Sequence, residues 1–161
     1  MITATGRRSD HTGLLLPEVA DRQAIRELVD AYAHCADRRD AAGQMALFTE
    51  DVDFVVYDRG NPVPTHKLRG RAALAPICHR LRAYQATMHI NGQSTTRIDG
   101  ARASGVTCCL VHYLTIEGTV RTVMIAAIHY LDSYVKRDST WLIRQRQVMI
   151  HWTETRTLTT G

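Results

Sequence analysis

From Glu18 onward, Ile25, Leu28, Val29, Tyr32 and Ala36 recur at the i, i+3, i+4, i+7 and i+11 spacing of one helical face, with Arg22, Arg26, Glu27 and Asp30 largely elsewhere. The pattern predicts an amphipathic helix. A second, shorter helix is expected over Ala41 to Phe48, with Met45 and Phe48 turned to the same core. "DVDFVVYD", Asp51 to Asp58, is rich in β-branched and aromatic residues and reads as a strand; the "RGNP" loop separates it from an extended piece around Val63 to Leu68. Helical spacing returns through Leu74, Ile77 and Leu81. It predicts a helix from about Arg71 to Tyr84 in which Pro76 lies in the first turn or bends the axis. The rest is β: Thr87 to Ile98, Ala101 to Ile116, Thr119 to Val135 and Thr140 to Thr155, separated by the turn formers "DG", "EG" and "KRDS". Four long strands in a meander behind N-terminal helices make an α+β domain, a curved antiparallel sheet wrapped against helices. The expected division is a mobile N-terminal arm over 1–17, free of chemistry, one domain over 18–156, and a short tail over 157–161.

Alternation then ranks the polar residues. On its strand His112 shares a face with Cys108, Leu110, Leu114 and Ile116, so that face is expected to point inward, leaving Thr107, Cys109, Val111, Tyr113 and Thr115 outside. If Glu117 and Gly118 are the central turn residues, Ile116 pairs with Thr119, Val123 lies opposite His112, and Ile125, Ala127 and His129 line the same face. A turn one residue longer reverses the assignment. "MHINGQS" places His89, Asn91 and Gln93 on one face and Met88, Ile90 and Gly92 on the other. On the first helix, at about 100 degrees per residue, Tyr32 sits at the centre of the apolar stripe and Asp37 at its edge. His34 faces the opposite way, and the Arg38, Arg39, Asp40 run reads as ordinary helix surface and turn. Taken singly, each candidate also fits a structural role: Tyr32 a core aromatic, Asp37 a solvated helix end, His112 a satisfied core histidine.

Composition narrows the classes. The 161 residues carry a net charge of +4 and a pI near 9.1, yet the basic residues are scattered, which argues against nucleic acid. No apolar run approaches the roughly 18 residues that cross a bilayer, so a soluble cytoplasmic protein is expected. Cys35, Cys78, Cys108 and Cys109 have neither CxxC spacing nor the density of a disulfide scaffold and read as reduced, mostly buried residues. The eight histidines lack HxH, HxxxH and HExxH spacing, and GxSxG and glycine-rich phosphate loops are missing. Neither a metal nor a cofactor is expected.

"DRQAIRELVDAYAHCADRRD", "MALFTEDVDFVVYD", "LRGRAAL", "MHINGQSTTRIDGARASGVTCCLVHYL" and "WLIRQRQV", spread over Glu18 to Thr155, resemble the SnoaL-like branch of the nuclear transport factor 2-like superfamily. The resemblance implies a cone-shaped α+β barrel around one deep pocket. Members include scytalone dehydratase, bile acid 7α-dehydratase, ketosteroid isomerase and polyketide cyclases, together with binding proteins and the small subunits of ring-hydroxylating dioxygenases, so the fold does not fix the function. By likeness to the dehydratases, Tyr32 and Asp37 match a helix tyrosine and the aspartate five residues on, His89 the histidine paired with that aspartate, Tyr57 a second tyrosine and His112 a further polar residue. The pocket-lining polar residues of the family's last strands have no obvious match here. The implied catalytic set is Asp37, His89, Tyr32 and His112, with Tyr57, His129 and Asn91 toward substrate. The implied chemistry is cofactor-free acid/base work on an apolar, oxygenated polyketide-, terpenoid- or steroid-like molecule, ending in dehydration, isomerisation or cyclisation. A non-catalytic binding or interaction domain and a dioxygenase small subunit are the other readings. A homodimer or homotrimer, paired through the outer sheet face, is expected.

Overall fold

The computed structural model of the chain describes residues 16–159. Of the expected arm over 1–17, residues 1–15 lie outside that range, while Leu16 and Pro17 already belong to the first helix; of the expected tail over 157–161 the last two residues lie outside it, while Thr157 and Leu158 continue the last strand. Helix α1 (Leu16–Asp37) is followed by α2 (Ala41–Ala46), strands β1 (Phe48–Asp58) and β2 (His66–Arg69), a 3-10 turn at Arg71–Leu74, α3 (Ala75–Arg80) and a second 3-10 turn at Leu81–Ala83. The long strands β3 (Ala86–Asp99), β4 (Arg102–Glu117), β5 (Val120–Arg137) and β6 (Thr140–Leu158) complete the chain. Pro76 falls in the first turn of α3, where its missing N–H has no intrahelical partner to lose. The 3-10 turns on either side shorten the single helix expected over Arg71 to Tyr84. Phe48 opens β1 instead of closing α2.

The six strands lie in the order β2-β1-β6-β5-β4-β3. The meander is antiparallel throughout, but β1 pairs parallel to β6, so the sheet is mixed and not wholly antiparallel as expected. No hairpin joins β1 to β6, and their relative direction is therefore not constrained by a tight turn. All three meander hairpins have two-residue loops: Asp99 pairs with Arg102, Glu117 with Val120 and Arg137 with Thr140. Asp138 and Ser139 both take positive φ, 48° and 66°, the twist that such loops require. The central residues of the second loop are Gly118 and Thr119, so Val123 pairs with Leu114 and Ile125 with His112. Strand parity across this hairpin stays as expected.

Which face is inner is the opposite of the expectation. Thr107, Cys109 and Val111 are buried, and they pair with Tyr130, Ile128 and Ala126 of β5, also buried. Leu110 and Ile116, which share a face with His112, are 40% and 44% exposed. Helix α1 packs against the inner face near β3, held by Arg22 donating to the Thr96 carbonyl (2.6 Å) and Arg26 to that of Gly92 (3.0 Å). Its stripe of Ile25, Leu28, Val29 and Tyr32 meets Phe48, Val52 and Ile143 in one core. Each such large apolar side chain contributes about 1.5–3 kcal/mol when fully buried.

Candidate active site

The site begins where α1 ends. Asp40 N–H donates to the Cys35 carbonyl (2.9 Å) and Arg39 N–H to that of Ala36 (3.1 Å), the paired bonds of a Schellman cap with Arg39 in the left-handed position at φ 62°. That conformation costs a side-chain-bearing residue roughly 1–2 kcal/mol. The cap fixes Asp37, the last helical residue, at the inner edge of β3. Because β3 is a sheet edge, backbone donors on its open side have no strand partner. The His89 N–H on that side donates to Asp37 Oδ2 (2.9 Å).

The imidazole of His89 meets the other carboxylate oxygen, with Nδ1 2.7 Å from Asp37 Oδ1. Thr87 donates its hydroxyl to the same oxygen at 3.0 Å. An ionised carboxylate only accepts, so Nδ1 carries the proton, and in the neutral form of the ring the lone pair is on Nε2. The His89 side chain is 5% exposed and that of Asp37 26%. Burial pushes the Asp37 carboxyl up, but the bonds from the His89 ring and backbone, the imidazole's charge and the Thr87 hydroxyl outweigh it, and the net position is below the ordinary carboxylate range.

His89 lines a cavity of about 390 Å³, within the size range of small-molecule sites. Val56, Ile77, Leu81, Met124, Val148 and Ile150 supply apolar wall, while Tyr32, Tyr84, Tyr113 and Tyr130 bring four phenols. Tyr113 stands beside the histidine, ring centroids 6.5 Å apart, and against Tyr84 at 4.7 Å. Its hydroxyl is pushed well up by burial, reinforced by Tyr32 and Tyr84, and stays a proton donor at neutral pH. Tyr32 is also raised by burial, against the opposing pull of Arg146. The Arg146 guanidinium lies 4.2 Å from the ring centroids of both Tyr32 and Tyr130. His66 and Arg80 stand at the outer rim, where Arg80 Nη1 approaches His66 Nε2 at 3.4 Å.

The structure therefore gathers Tyr32, Asp37 and His89 and sends the other candidates elsewhere. His112 points to the outer face with Ile125 and Leu110; its Nδ1 is buried there without a partner among the described residues. His129 is on the same outer face, its Nδ1 3.0 Å from His151 Nε2. Tyr57 follows the odd parity of β1 and pairs with outward Met149, whereas Phe54, Val56 and Asp58 line the cavity. Asn91 is on the inner side but is taken up by α1, donating to Asp30 Oδ1 (2.9 Å) and more weakly to the Val29 carbonyl (3.3 Å). Tyr113 and Tyr84 were not anticipated. Tyr113 had been placed outside with the rest of its face; the inversion brings it in. Among the described residues, no group of three or more His, Cys, Asp or Glu side chains is arranged to hold a metal.

Helices closing one end of a curved six-stranded sheet, with a carboxylate behind a histidine that lines a cavity between them, define a protein of the nuclear transport factor 2-like class. More narrowly, residues 17–147 match the model of the SnoaL-like domain, and the chain belongs to that family. No curated protein matches the chain. Similar solved structures include a protein from Novosphingobium aromaticivorans provisionally assigned as a scytalone dehydratase, 20% identical over 84% of this chain and 87% of that one, with a TM-score of 0.72. Another is the hexachlorocyclohexane dehydrochlorinase LinA-type3 from Novosphingobium barchaimii, 16% identical over 88% and 93%, TM-score 0.71. A third is the β subunit of a provisionally assigned aromatic-ring-hydroxylating dioxygenase from N. aromaticivorans, 22% identical over 86% and 93%, TM-score 0.71. At these identities the likeness is one of fold.

Proposed function

We propose that the protein is an acid/base enzyme that needs no cofactor, a lyase of the dehydratase type acting on an apolar, oxygenated ring compound. The observation that carries the reading is the 2.7 Å contact between Asp37 and His89 at the wall of the cavity. Asp37 fixes the imidazole tautomer and supports the charge that forms when Nε2 takes a proton next to a carbonyl. Tyr113 and Tyr32 are the available donors to the carbonyl oxygen, and in an enclosed site such bonds strengthen as the enolate charge develops. The enolate pair then forms the C=C bond as the hydroxyl on the adjacent carbon departs, and the His89 imidazolium returns its Nε2 proton to that oxygen so that water leaves. Return of the proton elsewhere makes an isomerisation, and internal attack a cyclisation. Two of the fold neighbours bear names of eliminating enzymes, which supports placing elimination first. The cationic Arg80 at the rim favours a substrate whose outer end is oxygenated or acidic.

The test is solvent deuterium exchange into a panel of cyclic ketones, polyketide-like and steroid-like, comparing wild type with Asp37→Asn and His89→Ala. The expected loss is about 10²–10⁴-fold, the usual contribution of a positioned acid/base group. Exchange that continues unchanged in both variants defeats the dyad. Tight calorimetric binding with neither exchange nor product in wild type would instead make the protein a non-catalytic binding domain.

A further inference from the structure

The Arg38, Arg39, Asp40 run, unremarkable in sequence, contains a side chain that reaches back over the helix end. Arg39 Nη1 donates to the Thr87 hydroxyl at 2.8 Å and to the Asp37 carbonyl at 3.0 Å, with a longer bond to the Ala36 carbonyl at 3.3 Å. Its Nη2 donates to the Tyr84 carbonyl at 3.3 Å. The guanidinium thus joins the end of α1 to the start of β3 and to the segment that carries Tyr84. A hydroxyl has one proton. Since Arg39 can only donate, Thr87 must accept from it and point its own proton at Asp37 Oδ1.

We propose that Arg39 and Thr87 are positioning residues for the Asp37 and His89 pair: the guanidinium donates to the hydroxyl, and the hydroxyl and the imidazole both donate to the carboxylate. The proposal rests on the acid/base reading of that pair. Two independent observations carry it: the continuous chain of 2.8, 3.0 and 2.7 Å, and an arginine held at φ 62°, a conformation glycine would adopt without strain. Outliers of this kind persist where the side chain is needed at that point. Without the hydroxyl, Asp37 Oδ1 keeps only the imidazole and Oδ2 only the His89 N–H, so that no group outside His89 itself sets the plane of the carboxylate. The imidazole then loses the single orientation that the chain enforces.

Thr87→Val removes the hydroxyl while keeping a β-branched strand residue, Thr87→Ser keeps the hydroxyl, and Arg39→Gly removes the guanidinium while suiting the left-handed turn. The readout that needs no substrate is the His89 Nδ1–H proton, observed by nitrogen-edited NMR on the full chain. In wild type and Thr87→Ser it is expected as a protected low-field resonance; in Thr87→Val and Arg39→Gly its exchange with water is expected to rise by at least about tenfold. Deuterium exchange into a ketone that wild type processes should fall by a similar factor in the latter two and not in Thr87→Ser. A Nδ1–H equally protected in Thr87→Val overturns the proposal, as does a loss that Thr87→Ser shares. A protected proton in a wild type that exchanges no ketone would leave the positioning chain standing and remove the catalytic reading.

Discussion

Asp132→Asn is expected to be among the most damaging single substitutions in the chain. Arg146 and Asp132 form a bidentate pair at 2.8 and 2.7 Å with both side chains 0% exposed. Tyr134 donates a further bond to Asp132 at 3.0 Å, and the Tyr32 and Tyr130 rings cover the guanidinium. The aspartate is what keeps Arg146 charged against burial, and its attraction holds the arginine well above its usual range. Asparagine nearly matches the shape but leaves a buried cation without its counter-charge, a loss of about 3–5 kcal/mol. That is a large share of the roughly 5–15 kcal/mol by which domains are stable. In thermal unfolding it corresponds to a fall in Tm of roughly 6–20 °C, at about 2–4 °C per kcal/mol for a chain of this length. In urea, with a slope near 2 kcal/mol per molar, the midpoint drops by about 1.5–2.5 M. Replacing the pair together, Arg146→Met with Asp132→Leu, removes both desolvated charges and should recover most of that loss. A midpoint shift in Asp132→Asn corresponding to under about 1 kcal/mol would refute the reasoning, because it would mean that water or a neighbour reaches a guanidinium whose side chain is wholly enclosed.

Four further expectations follow from the same geometry. The Asp37 carboxyl lies below its ordinary value in the folded protein, so its stabilisation is fully present above the unfolded pKa, near 4, and is lost as pH falls through the lower folded value; the acid limb of Tm against pH should flatten in Asp37→Asn and stay steep in wild type. Burial pushes the thiols of Cys78 and Cys109 up to about 11, so a thiol reagent at pH 8 should leave both unmodified in the folded protein and reach them only after denaturation. Tyr113→Phe is expected to slow ketone deuterium exchange by roughly 10²-fold, as for the loss of one oxyanion donor, with Tm little changed. His112→Ala, on the outer face, should leave exchange as in wild type; the reverse ranking would restore the inward placement of His112.

The helices, the strand pair and the meander were legible because each rests on local periodicity or on a turn a few residues long, whereas the pairing of Asp37 with His89, 52 residues apart, was an expectation from family resemblance alone. The facing of β4 and that of His89 beside it were not legible, for two physical reasons. Apolar alternation marks the inner face only where the inner row is also the more apolar one, and here it is not: the inner positions run Thr107, Cys109, Val111, Tyr113, turned inward though two of them carry hydroxyls. The outer face carries exposed Ile90, Leu110, Ile116 and Trp152, so the more hydrophobic row lies outside. The second reason is a bulge. Counting back from the Asp99 and Arg102 hairpin pairs His89 with His112 and puts both histidines on one face. Between Asn91 and Ser94 the register slips, Gly92 and Gln93 facing the single residue Cys108, so that His89 pairs with Val111 and Met88 with His112. One inserted residue exchanges every side chain beyond it between the two faces. That slip turns His89 inward toward Asp37 and brings Thr87 opposite Tyr113 in the site, while His112 stays out by the unbroken alternation of β4. Arg39 was hidden for a different reason: a charged residue after a helix reads as solvated turn, and its four acceptors come from segments up to 48 residues away that only the folded chain brings together.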